Sequence, residues 1–189
     1  MNIMVYVFLA DGFEECEAVA PIDMLRRADI EVTTVKIQNG SKTNDKMALG
    51  SHDIAIEADI HESDTDLEKI SMIVLPGGAV GVENLYNSPV IKNAVDYCVK
   101  NNLPIGAICA APSILARWGY LKDKKATAHP LFKHYLTENG ATLSDMRIVT
   151  DGIFTTAEAA GVSIDFSLEL VTVMKGKDIS EKIAKQIVK

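Results

Sequence analysis

The sequence predicts an α/β domain with a mostly parallel sheet and helices on both faces. Three observations carry this. Short, continuous apolar runs recur, as in strands covered on both sides. Segments with apolar residues at helical spacing alternate with them. Turn residues punctuate the boundaries. The chain has 189 residues, a length that suits one domain spanning residues 1–189, at roughly 100–200 residues per domain.

The elements follow in order. Ile3–Leu9 (IMVYVFL) reads as a buried first strand. Glu14–Ala28 reads as a helix: Ala18, Ile22 and Leu25 share one face, with acids in the first turn and arginines in the last, as the helix dipole favours. Pro21 offers no N–H to the carbonyl of Glu17, which predicts an irregular turn there. Glu31–Ile37 is a second strand, and Gln38–Met47 (QNGSKTNDKM) is a polar surface loop. Asp53–Ile56 suits a short strand in a hairpin or edge position. Met72–Leu75 is a buried strand that stops at Pro76-Gly77-Gly78.

Ser88-Pro89 opens a helix to about Lys100, with Ser88 as N-cap and proline at the first helical position. Leu103–Ile108 is another apolar strand, and beyond Cys109 a helix over Ala110–Trp118 is stopped by Gly119. Lys125–Ala128, Arg147–Asp151 and Ile153–Thr156 suit short strands. Val162–Met174 and Ser180–Val188 suit closing helices.

Composition excludes several classes of function. Lys and Arg number 19 against 26 Asp and Glu, a formal charge of −7 that opposes general nucleic-acid binding and anionic lipid surfaces. The least polar stretch, Leu103–Ala116, is broken by Pro104, Gly106, Pro112 and Ser113, whereas a spanning helix needs about 20 apolar residues. The apolar N-terminus has no preceding positive charge and runs into Asp11-Gly12, as a strand would and a secretion signal would not. Three cysteines without CxxC spacing argue against a disulfide framework or zinc site and for a reducing cytoplasm.

In open α/β sheets, ligands bind at the carboxyl ends of the strands. The pattern therefore sends three segments to one place: Asp11–Glu17, Pro76–Gly78 and Cys109–Ala111. Cys109 is the first candidate, because a thiol at a strand-to-helix turn meets free backbone N–H groups that favour thiolate and lower its pKa. The bland alternative is a buried structural cysteine. Glu17 is the second candidate. A protonated carboxyl there can donate to sulfur, where a carboxylate would repel a thiolate; a solvated helix glutamate is the plain alternative for Glu14, Glu15 and Glu17 alike. His129, before Pro130, is placed to orient groups or accept a proton, or else to cap a turn. Gly77-Gly78 lacks a phosphate-loop pattern but lets backbone approach the sulfur. His52, His61 and His134 show no metal-ligand spacing and receive no chemistry. Cys98 reads as packing, and Cys16 points away from Glu17, leaving it at most a resolving role.

These landmarks together resemble the DJ-1/ThiJ/PfpI superfamily, nearest its DJ-1/ThiJ (YajL-like) branch. The matching residues are Ala10–Ala28, VLPGG (Val74–Gly78), AICAAPSILA (Ala107–Ala116), AHP (Ala128–Pro130) and GVSIDFSLEL (Gly161–Leu170). The resemblance implies a flavodoxin-like three-layer sandwich, class I glutamine amidotransferase-like, and a homodimer whose interface includes the helix around Cys16–Arg27. It implies Cys109 as the reactive, oxidation-prone cysteine and Glu17 as its protonated partner. It further implies an oxyanion pocket formed by the Gly78 and Ala110 N–H groups, His129 near the sulfur, and no metal or organic cofactor.

Two departures bear on function. Ala110 follows Cys109 where the protease-like branch has histidine, which weakens a peptidase reading. The stretch TTAEAAG (Thr155–Gly161) lacks the arginine of the DJ-1 branch and adds Glu158, predicting a less cationic pocket. The expected activity is conversion of a small reactive carbonyl, as in glutathione-independent glyoxalase or deglycase chemistry. The alternatives are a redox sensor or chaperone acting through Cys109 oxidation and, behind these, a cysteine amidase or peptidase using His129.

Overall fold

The computed structural model of the chain describes residues 4–41 and 45–189. Strand β1 (Met4–Ala10) leads into helix α1 (Glu15–Arg27), then strand β2 (Val32–Ile37), the hairpin β3 (Met47–Leu49) and β4 (Ala55–Glu57), and the two-residue strand β5 (Ile60–His61). Next come β6 (Ile70–Leu75), α2 (Ala79–Tyr86), α3 (Pro89–Asn101), β7 (Ile105–Ile108) and α4 (Pro112–Arg117). The chain closes with β8 (Lys125–Ala126), α5 (Lys133–Glu138), β9 (Thr142–Leu143), β10 (Ile148–Asp151), β11 (Phe154–Ala157), α6 (Ser163–Lys175) and α7 (Lys177–Gln186).

The main sheet runs β10-β11-β7-β6-β1-β2-β5, and every pairing is parallel except β10 with β11. Alternation along β1 divides the core. Tyr6, Phe8 and Ala10 face one apolar cluster, with Val82, Leu85, Ile91, Val95, Ile114 and Leu136 from α2 to α5. Val5, Val7 and Leu9 face the other, with Leu25, Phe166, Leu170 and Ile183 from α1, α6 and α7. This two-sided burial is why the strand runs are continuously apolar. The architecture is the mostly parallel, helix-flanked sandwich expected. Among the described residues, no helix is long and apolar enough to cross a membrane.

Several local details go beyond the expectations. Helix α1 runs from Glu15 to Arg27 with Pro21 inside it, and Pro21 is buried. Ser88 does sit at the N-cap of α3 with Pro89 following, but its hydroxyl lies 3.5 Å from the Glu62 carboxylate and makes no cap bond. Strand β4 lies in a hairpin, one of the two positions expected for it, and that hairpin stands outside the main sheet, whose edge is β5. Helices α2 and α5 add to the expected elements; α2 contains Gly81 and α5 has six residues, too short for a periodic signal. Ile3 and part of the Gln38–Met47 loop lie outside the described residues, and Met47 itself opens β3.

Candidate functional site

Strand β7 ends at Ile108, and Cys109 turns the chain at φ +65°, a left-handed conformation that costs a non-glycine residue. Two long-range bonds hold it there: the Cys109 N–H donates to the Ala157 carbonyl at 2.9 Å, and the Cys109 carbonyl accepts from the His129 N–H at 2.8 Å. Helix α4 begins only at Pro112 and has six residues. The sulfur therefore meets individual amides, those of Gly78 and Ala110, more than a helix dipole.

Glu17 lies in the first turn of α1 and is almost fully buried. Its Oε2 accepts from the Gly77 N–H at 2.9 Å, its carboxyl also receives the Ala160 N–H, and it hydrogen-bonds the Cys109 thiol. The strand-one loop is pinned to the same point, because the Glu14 N–H donates to the Gly77 carbonyl at 3.0 Å. All three expected segments thus converge. Their spacing needs glycine: a Cβ on Gly77 would press into Glu17 Oε2 and stand 2.5 Å from Cys109 Cβ. Gly78 adopts φ +89°, and a Cβ there would strike the Gly12 carbonyl oxygen.

The electrostatics overturn one expectation. Burial pushes the Glu17 carboxyl up to about 7, the Glu14 carboxylate adding to the rise, while the Cys109, Gly77 and Ala160 bonds oppose it. Burial likewise pushes the Cys109 thiol up to about 12, reinforced by the charge and hydrogen bond of Glu17; the Gly78 and Ala110 amides pull it back only in part. A thiol made acidic by amides alone is therefore not what this site holds. The two groups titrate as a pair. Between the two steps they share one proton, and thiolate is present in the state where Glu17 keeps it. Cys98, buried in α3, is pushed up to about 12 by burial alone and has no such partner.

The remaining candidates separate. The His129 backbone ties it to Cys109, but the ring Nδ1 accepts from the Leu131 N–H at 3.3 Å and its edge faces Phe132. Among the described residues, no hydrogen bond joins that ring to the sulfur. Cys16 is exposed on α1. Glu158, expected to make the pocket less cationic, is neutralised by Lys133 at 3.0 Å and Arg147 at 3.2 Å. His52, whose spacing in the sequence suggests no chemistry, is carried by the β3–β4 turn to Glu14 and Glu15. No local spacing could show a contact across that many residues.

Fold and site together define a class: parallel α/β sandwiches with a cysteine on a strained strand end, facing a buried carboxyl and two backbone amides. The chain belongs to the DJ-1/PfpI family, whose profile matches residues 3–173. It is 36% identical over 183 residues to protein DJ-1 homolog A of Arabidopsis thaliana; the match covers 95% of this chain, which spans about half (45%) of that relative's length. It is 27% identical to a glutathione-independent glyoxalase DJ-1 of Schizosaccharomyces pombe, over 98% of both chains. The crystal structure of Drosophila melanogaster DJ-1beta superposes with a TM-score of 0.91 at 30% identity, covering 100% of this chain and 98% of the other.

Proposed function

We propose that this protein converts small reactive carbonyls through Cys109, with Glu17 as general acid and base. The observation that carries the reading is the Glu17 carboxyl hydrogen-bonded to the Cys109 sulfur beside the Gly78 and Ala110 N–H groups. With methylglyoxal, the thiolate adds to the aldehyde carbon and forms the C–S bond of a hemithioacetal, whose oxygen takes the Glu17 proton. While negative, that oxygen is stabilised by the two amides. The Glu17 carboxylate then removes the proton from the same carbon and returns it to the neighbouring carbon through an enediol. The product is a lactyl thioester. Water cleaves it, releasing lactate and the thiol, so the net reaction adds one water to methylglyoxal. The relative from Schizosaccharomyces pombe, named a glyoxalase, supports this reading. Lactate formation by wild type, Cys109→Ser and Glu17→Ala tests it: loss in both variants is expected, and equal rates in all three overturn it.

A second reading, oxidation sensing, is favoured by the same donors. Peroxide transfers one oxygen to the thiolate to give sulfenate and water, and a second equivalent gives sulfinate. Glu17 and the two amides stand where those oxygens would need hydrogen bonds. Mass analysis after mild peroxide should place the added oxygens on Cys109; gain only on Cys16 or Cys98 sinks this reading. A homodimer, with α1 in its interface, belongs to the same proposal. Exposed Val19 on α1, with Leu49 and Ile54 of the neighbouring hairpin, supports it, and sedimentation equilibrium reads the mass.

A further inference from the structure

Away from the sulfur, the turn joining β3 to β4 is tied to the start of α1. Phe13 bridges Gly50, and the Ser51 N–H donates to the Phe13 carbonyl at 2.8 Å. This brings Glu14, Glu15, Ser51 and His52 into one cluster. The ligand-capable atoms of Glu14, Glu15 and His52 all lie within 4.8 Å of one another. His52 Nδ1 is 2.9 Å from Glu15 Oε2 and 3.6 Å from Glu14 Oε2. Ser51 Oγ lies 3.0 Å from Glu14 Oε2, 3.2 Å from Glu15 Oε2 and 3.1 Å from His52 Nδ1.

Four donors bound tetrahedrally at about 2.0–2.1 Å stand roughly 3.3 Å apart along every edge. The five separations above lie on either side of that value, and the sixth edge, between the Glu14 and Glu15 oxygens, is within 4.8 Å. The second carboxylate oxygen of Glu15, Oε1, is held by the His52 N–H at 2.7 Å, which leaves Oε2 aimed at the imidazole. Among the described residues, the ion pairs of Glu14 and Glu15 go only to His52. Among the described residues, two carboxylates, one of them buried, thus have an exposed imidazole as their one cationic partner.

We propose that Glu14, Glu15 and His52 form a binding site for a divalent zinc ion, with Ser51 Oγ or a water at the fourth corner. The site clamps the β3–β4 turn to the start of α1. Calcium and magnesium need six or more oxygen ligands, which this cluster does not offer, and an imidazole with carboxylates in a tetrahedron suits zinc. The inference stands apart from the cysteine chemistry, because no sulfur takes part.

The test is titration of the metal-free protein with zinc against a chromophoric chelator, alongside cobalt(II) as a spectroscopic substitute. One equivalent is expected to bind, with tetrahedral cobalt bands and no sulfur-to-metal charge transfer. His52→Ala and Glu14→Gln, both at accessible positions, should weaken binding at least about tenfold, whereas Cys16→Ser should leave it unchanged. Zinc should raise the thermal transition of the wild type and not that of His52→Ala. Absence of saturable binding, affinity unaffected by His52→Ala, or a sulfur charge-transfer band lost in Cys16→Ser overturns the site.

Discussion

Replacing Glu17 with glutamine separates the two halves of the thiol–carboxyl pair. Glutamine is isosteric: its oxygen can still accept from Gly77 and its amide can still face the sulfur, but it cannot ionise. In the wild type, the first proton leaves at about 7 and the second at about 12. The first is the carboxyl proton and the second the thiol's, so thiolate gathers only toward the upper step. The rise of Cys109 from 9.0 to about 12 amounts to about 4 kcal/mol against the thiolate, at about 1.4 kcal/mol per pH unit. Burial supplies the largest part, and the Glu17 charge and bond add to it. Glutamine removes the charge, so a single midpoint should fall between about 7 and about 12.

A midpoint two units above neutrality leaves about 1% thiolate at pH 7. The wild-type midpoint near 12 leaves far less, so alkylation of Cys109 by a small neutral reagent should quicken at least about tenfold in Glu17→Gln at neutral pH. The two profiles should converge only as pH approaches about 12. The assay uses a Cys16→Ser background, because Cys16 is exposed. A glutamine variant no faster than the wild type at neutral pH would refute the reasoning, as would a wild type whose alkylation already levels off near pH 7.

The same variant should change stability with pH. Glu17 holds its proton more tightly folded than unfolded, so its contribution is fully present below the ordinary 4.5 and is lost as pH rises through about 7. Urea unfolding should find Glu17→Gln level with wild type in acid and more stable in mild alkali, by at most about 3 kcal/mol; an equal difference at both ends contradicts this. Gly77→Ala places its Cβ 2.5 Å from Cys109 Cβ, and overpacking of this kind costs about 1–3 kcal/mol; an unchanged denaturant midpoint would show that the site has slack. The Lys36 side chain is fully buried and pairs with Asp11, so Asp11→Asn should cost about 3–5 kcal/mol by stranding a buried charge. Lys36→Met should cost less, because the remaining Asp11 is partly exposed and keeps the Leu49 N–H; the reverse order in chemical denaturation would sink the argument.

Sequence alone determined what short-range physics controls. Apolar runs such as Val5–Leu9 and Ile73–Leu75 had to be strands covered on both faces, since only a two-sided core buries consecutive side chains of opposite orientation. Pro76–Gly78 marked where a strand run ends and Gly119 where a helix ends, and the placement of ligands at the carboxyl ends of strands made Cys109 and Glu17 legible as neighbours. Tertiary structure decided whatever depends on burial or on contacts across the chain. Lys36 sits in a strand like any surface lysine until neighbouring strands and the loop enclose it with Asp11. The pKa of Cys109 turned on desolvation, which no local pattern carries, so amides expected to make the thiol acidic were outweighed by burial and a facing carboxyl. His129 kept its backbone tie to Cys109 while the turn at Leu131 engaged its ring. Glu15 met His52 because a hairpin folded back onto a helix start. Periodicity records which face a residue shows, but a charge responds to every group within reach, and only the folded chain sets that list.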